Sequence, residues 1–169
     1  MERKLTNDLV IERIKGQFGS DILSVETPYD LITMEVSSNK MHEIVDWLKK
    51  DETLKIAFLT NLGGVHYPEQ KGREFAIVYH LQSMMNNFRI RLKAYVPIEN
   101  PEIDSLVDIY VGANWMERET YDFYGIIFKG HPNLTRILNE DSMDYFPMRK
   151  EYRLEDETRE DKDDTFFGR

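Results

Sequence analysis

Apolar positions near the start of the chain recur with a helical period. Val10 or Ile11, Ile14 and Phe18 form one stripe, with Thr6 or Asn7 placed to cap it and Gly19-Ser20 to end it. The pattern then shifts to two short β-like runs, 22–26 and 31–36, separated by Thr27-Pro28-Tyr29-Asp30, which is hairpin turn chemistry. Helical spacing returns at Met41, Ile44, Val45 and Leu48, the i, i+3, i+4, i+7 positions of one face. Ser37 or Ser38 is placed to cap that helix, and Lys49-Lys50 suit the negative end of its dipole. Three further β-like runs follow: 55–62 closed by Gly63-Gly64, then 74–81, then 88–96. The last is the plainest. Phe88, Ile90, Leu92, Ala94 and Val96 alternate with Arg89, Arg91, Lys93 and Tyr95, so one face belongs to a core and the other is basic. Pro97 and Pro101 lead into a helical region expected over 105–124, and after Gly125 no period dominates.

This order predicts an α+β fold: a two-layer domain whose mixed β-sheet is covered by helices on one face, with an extended C-terminal arm. A chain of 169 residues accommodates one such domain, expected over 1–150, and a charged extension over 151–169. Residues 151–164 carry eight acidic and three basic side chains with little apolar content. That is too little burial to offset the entropy of ordering the segment alone. Phe166 and Phe167 beyond it are candidate anchors of a docking arm; a solubilising tail is the plainer alternative.

Charge narrows the functional classes. Acidic residues outnumber basic ones 31 to 22, a formal charge of −9, which argues against nucleic acid or anionic lipid as the main partner. No cysteine is present, so this chain supplies no disulfide, no thiolate-held iron–sulfur cluster and no thiol nucleophile. No leader-like or membrane-spanning apolar run is seen, and the expectation is a soluble chain that stays where it is made or docks by protein contacts. His42, His66, His80 and His131 show no metal-ligand spacing, and phosphate-loop, dinucleotide and nucleophile-elbow signatures are absent.

The chemically dense stretch runs from Trp115 to Gly125. Read as a helix, it sets Arg118 and Asp122 at i, i+4, able to pair along one face, with Met116, Thr120, Phe123 and Tyr124 on another and Trp115 at its margin. Gly125 suits the left-handed position that ends a helix. Three readings stand at this point: a surface helix with solvated charges, a protein interface rich in arginine and aromatics, or an acid–base site built from Glu117, Asp122 and His131.

The run Glu117 to Leu138, Glu-Arg-Glu-Thr-Tyr-Asp-Phe-Tyr-Gly-Ile-Ile-Phe-Lys-Gly-His-Pro-Asn-Leu-Thr-Arg-Ile-Leu, resembles the signature of the respiratory complex I thirty-kilodalton subunit family. Members of that family are components of the proton-pumping NADH:quinone oxidoreductase. Ala113-Asn114-Trp115, Ala76 to Leu81 and Phe146 to Tyr152 fit the same family in the same order, so the resemblance spans about Leu59 to Tyr152. Thr135, Asn133 and Met148 depart from the commoner residues; Arg136 keeps a cation beside Thr135.

The resemblance implies a non-catalytic subunit of the peripheral, quinone-reducing arm. It would lie on the cytoplasmic side of a bacterial inner membrane and be held there by the complex. FMN and iron–sulfur clusters would reside on partner subunits, and the forty-nine-kilodalton subunit of the connecting module would be the chief neighbour. It also implies that Trp115, Glu117, Arg118, Glu119, Asp122, Tyr124, Gly125, His131, Pro132, Arg136 and Arg149 form the subunit interface. Equivalent subunits of membrane-bound hydrogenases or of ferredoxin- or F420-dependent dehydrogenases are the nearest alternative; a small hydrolase is a remote one.

Overall fold

The computed structural model describes residues 5–152. Phe166, Phe167 and all of the extension past Tyr152 lie outside the described residues.

The first helix, α1, spans Asn7–Phe18, and the Thr6 hydroxyl caps it by accepting the Leu9 N–H. Val10, Ile14 and Phe18 are its buried stripe. Strands β1 (Ile22–Glu26) and β2 (Ile32–Val36) pair antiparallel across the expected turn. Helix α2 (Met41–Lys50) buries Met41, Ile44, Val45 and Leu48, as their spacing requires. Its start differs from expectation. Ser37 precedes a single 3-10 turn, Ser38–Lys40, that feeds into α2, and neither Ser37 nor Ser38 caps the helix with its side chain; the Ser37 carbonyl accepts the Lys40 N–H at 3.0 Å. Trp47 on α2 meets Phe18 of α1 edge-on at 5.4 Å between ring centres.

Strands β3 (Phe58–His66), β4 (Phe75–Ser83) and β5 (Phe88–Val96) form an antiparallel meander, and β5 pairs in parallel with β2. The sheet order is β1-β2-β5-β4-β3, a mixed five-stranded sheet. Its register sets Ile90, Leu92, Ala94 and Val96 beside Leu81, Tyr79, Ile77 and Phe75, all buried on one face. The helices pack there, and the opposite face carries the basic row Arg89, Arg91 and Lys93.

Two sequence expectations fail for one reason, the pull of a distant partner. The helix expected from 105 begins only at Ala113: α3 runs Ala113–Tyr124. Residues 105–112 are turn and loop, led out of strand β6 (Glu102–Asp104), which pairs in parallel with β7 (Ile127–Lys129), and the Ser105 N–H carries that pairing on to the Lys129 carbonyl at 2.9 Å. That pairing buries Ile103 and Phe128, which no local period could anticipate.

Likewise, Gly63-Gly64 does not close β3 but lies inside it. A Cβ on Gly64 would stand 2.7 Å from Cδ2 of Tyr124 and 3.2 Å from Cγ2 of Thr120, so this glycine sets how closely α3 approaches the sheet. The Tyr124 ring cannot swing freely, since it packs edge-on against Phe75 at 6.3 Å. Gly64→Ala is therefore expected to lower the unfolding free energy by about 1–3 kcal/mol through overpacking, read as a shift in the urea midpoint.

Candidate interface site on the third helix

Helix α3 carries its charges in an order the i, i+4 pattern misstates. Arg118 does not pair with Asp122. Its guanidinium donates to the carbonyls of Thr135 at 3.1 Å and Arg136 at 2.9 Å. Asp122 is fully buried and pairs with Arg136 at 2.7 Å. The reason is geometric: residues 135–139 fold over the outer face of α3, and a loop with unpaired backbone groups outcompetes an exposed helix pair worth a few tenths of a kcal/mol.

Asp122 holds that loop by a cluster of donors. One carboxylate oxygen accepts the N–H groups of Ile137, Leu138 and Asn139 at 3.1, 2.8 and 2.9 Å. The other accepts the Asn139 side-chain amide at 3.0 Å and the Arg136 guanidinium. Burial pushes this carboxyl up, but the Asn139 and Leu138 N–H groups, the Asn139 amide and Arg136 outweigh it and hold it far below the usual carboxylate range. Arg136 extends the tie, donating also to the carbonyls of Met143 and Tyr145. Asp122 and Arg136 thus order the whole path from 135 to 145.

Glu117 is also fully buried, on the opposite side of α3. It accepts the Ser105 hydroxyl at 2.6 Å and the Leu106 N–H at 2.7 Å, pinning the chain between β6 and α3. His131 donates from Nε2 to the Asn114 carbonyl at 3.1 Å while its Nδ1 accepts the Asn133 N–H at 3.0 Å, which assigns the tautomer. Gly125 takes φ +77° at the helix end, as expected. Against it lies the 146–149 segment: Arg149 donates to the Tyr124 carbonyl at 2.8 Å and stacks over Phe146 at 4.7 Å and Phe75 at 5.1 Å.

The surface-helix reading holds for the Met116, Thr120 and Tyr124 side, which packs on the core, and fails for two of its charges. Glu117 and Asp122 are interior, whereas Trp115 is 56% exposed. Glu117, Asp122 and His131 each bond to different groups and share no partner, so they make no acid–base constellation. Of the expected interface residues, Trp115, Glu119 and Pro132 are exposed; Glu117, Asp122 and Gly125 are buried; Arg118, Tyr124, His131, Arg136 and Arg149 are partly buried. Ser105, Leu106, Asn114 and Asn139 are essential partners that the sequence reading missed, because a hydroxyl, two backbone groups and an amide carry no pattern of their own. Val111 and Leu138, exposed at 74% and 63%, were also missed.

The model of the family described as "Respiratory-chain NADH dehydrogenase, 30 Kd subunit" matches residues 34–158. The chain belongs to this family. The match starts at residue 34, well before the Leu59 at which the visible resemblance begins. The C subunit of NADH-quinone oxidoreductase from Mycolicibacterium gilvum is 41% identical over 152 residues, 87% of this chain and 67% of that protein. Its counterpart of the same name in a Nocardioides species is 47% identical over 123 residues, 73% of this chain and 49% of that protein. The chain thus spans about half to two thirds of the length of these curated relatives.

A solved trypsin-resistant fragment (1–134) of Nqo5 superposes with a TM-score of 0.65 at 27% identity, covering 75% of this chain and 98% of the fragment. A chain of a membrane-bound sulfane sulfur reductase, an archaeal respiratory membrane complex, shares the fold with a TM-score of 0.73 at 19% identity, covering 87% and 85%. The 30 kDa family fold is therefore the α+β sheet-and-helix arrangement described above. In this family member the signature's ionisable residues mostly act inside the domain.

Proposed function

We propose that this chain is a non-catalytic structural subunit of the peripheral, quinone-reducing arm of an NADH:quinone oxidoreductase, supporting electron transfer from NADH to quinone coupled to proton translocation. The observation that carries the reading is the site's construction. Buried Glu117 and the Asp122–Arg136 pair are spent on backbone, and the helix and loop they fix leave Trp115, Val111 and Leu138 exposed at 56%, 74% and 63%, with Glu119 exposed as well. An exposed tryptophan together with exposed aliphatic side chains is what the centre of an interface buries on docking.

The kinship to named components of NADH-quinone oxidoreductase supplies the complex, and the forty-nine-kilodalton subunit is the partner we assign to this surface. FMN and iron–sulfur clusters belong to partner subunits in this reading, since a chain without cysteine offers no thiolates to hold a cluster. Among the described residues no helix is long and apolar enough to cross a membrane, so docking on the complex is the assigned route to the membrane's cytoplasmic side.

Trp115 and Arg118 separate surface from scaffold. Trp115→Ala is expected to leave the fold intact and to cut incorporation into the complex at least tenfold, since a buried interface tryptophan is worth about 2 kcal/mol or more. Arg118→Ala releases the Thr135 and Arg136 carbonyls and should lower incorporation together with the order of the 135–139 loop. Native-gel migration and quinone-coupled NADH oxidation by membranes read both. Full assembly of the Trp115 variant would remove the proposed surface.

A further inference from the structure

Of the four buried carboxylates among the described residues, Glu74, 7% exposed, accepts the Gly72 and Ile98 N–H groups, and two have an arginine: Asp122 has Arg136, and Asp51 has Arg13 at 2.7 Å. Glu117, no less buried than Asp122, has none among the described residues. Its donors are one hydroxyl and one N–H, both neutral, and a buried charge so poorly compensated favours its neutral form. A neutral carboxyl needs something different from a charged one, namely an acceptor for its own O–H.

The Ser105 hydroxyl at 2.6 Å can turn to accept it, and among the described residues the one buried hydroxyl left unpartnered is that of Tyr79. It is buried and makes no hydrogen bond to any described atom, and the charges that bear on it are Glu117 and Asp104. Such orphaned hydroxyls are uncommon in folded interiors and call for a partner. A route to solvent exists through Ser105. Ser105, whose hydroxyl touches Glu117, lines an open cleft of about 570 Å³ together with His42, Asp104, Asp108, Lys129 and Pro132.

We propose that Glu117 is an internal proton-binding site, loaded from this cleft through Ser105 and sharing its proton with the Tyr79 hydroxyl. Proton uptake converts the carboxylate to a carboxylic acid, and the new O–H donates toward Tyr79 while the Leu106 and Ser105 contacts weaken. Burial raises the Glu117 carboxyl to about 7, the Leu106 N–H and Ser105 opposing it, Asp108 adding to the rise and His42 reducing it. Asp108 is itself paired with His42 at 2.9 Å, and Lys129 with Asp104 at 3.3 Å, so the rim's charges partly cancel before they reach the site.

The test is a carboxyl-carbon NMR titration of the full chain labelled in glutamate, with the Glu117 signal identified by its loss in Glu117→Gln. A midpoint near 7 is expected, against about 4.3 for ordinary glutamates. A midpoint below about 5 overturns the site. Two variants give opposite shifts. Tyr79→Phe removes an acceptor used by the protonated form and lowers the midpoint; Ser105→Ala removes a donor used by the charged form and raises it. A midpoint unmoved by Tyr79→Phe overturns the sharing.

If the Tyr79 and Ser105 variants fold poorly, the unlabelled chain still decides. A raised carboxyl costs stability as pH climbs from the unfolded value, near 4.3, to the folded one, and nothing further is added at pH values where both states hold the same charge. Because burial lowers His66 and His80 and gives them the opposite slope over part of this window, the curve is read against that of Glu117→Gln: a urea midpoint that falls more steeply in the parent supports the site, and parallel curves overturn it.

Discussion

Asp122→Ala should detach the 135–145 path from α3 and lower the unfolding free energy by about 3–5 kcal/mol, the usual cost of stranding one member of a buried ion pair. Arg136 is only 10% exposed at its side chain, so it cannot recover solvation without dragging its loop outward. The three N–H groups of Ile137, Leu138 and Asn139 lose their acceptor in the same step. Asp122→Asn keeps the shape and should cost less, since an amide oxygen still accepts part of the cluster. Denaturant unfolding measures both, and amide exchange at 137–139 should accelerate more than exchange in β5. An Asp122→Ala chain as stable as its parent would leave the carboxylate without the anchoring role.

The pH dependence of this anchor has a definite sign. The folded-state carboxyl lies below its unfolded value of about 3.9, so the stability it contributes is whole above that value and is lost as pH falls through the lower, folded one. The 135–139 loop should therefore stay docked at pH values where exposed aspartates are already protonated. Glu117 has the opposite slope, and the two carboxyls on one helix give the domain opposite acid and neutral-range responses.

Gly125→Val carries the second large effect. At φ +77° a β-branched residue is strained by about 1–2 kcal/mol. Its Cβ would also stand 2.6 Å from the Phe146 ring and 2.7 Å from an Arg149 guanidinium nitrogen. Both groups are held: Phe146 by Tyr121 edge-on at 6.1 Å, and Arg149 by the Tyr124 carbonyl. Overpacking adds about 1–3 kcal/mol. The expected total is about 2–5 kcal/mol, with the 146–149 segment displaced before the sheet is affected. Limited proteolysis should cut near 146–150 in the variant at concentrations that spare the parent. Equal resistance would mean that the segment's contact with the helix end does not hold it.

Much of the architecture is readable from local pattern. The stripes of α1 and α2 and the alternation of β5 match the burial found, because each element spans several periods and packs against one neighbour. The 30 kDa family signature is also readable, since twenty-odd residues in a fixed order need no structure to be seen. What the signature's residues do is not readable in the same way. Arg118 and Asp122 satisfy the helix-pair rule on paper and decline it in the fold, because Arg136 and the loop after it offer Asp122 five donors at once.

Sequence alone determined the family, the mixed α+β class and the period of the longer elements, all properties that neighbouring residues encode together. Tertiary structure decided the rest: that Gly64 admits Tyr124 to the sheet, that β6 waits for β7, and which charges lie inside. Burial and pairing depend on what arrives from elsewhere in the chain, and a helix position has the same local surroundings whether its outer face meets water or a loop.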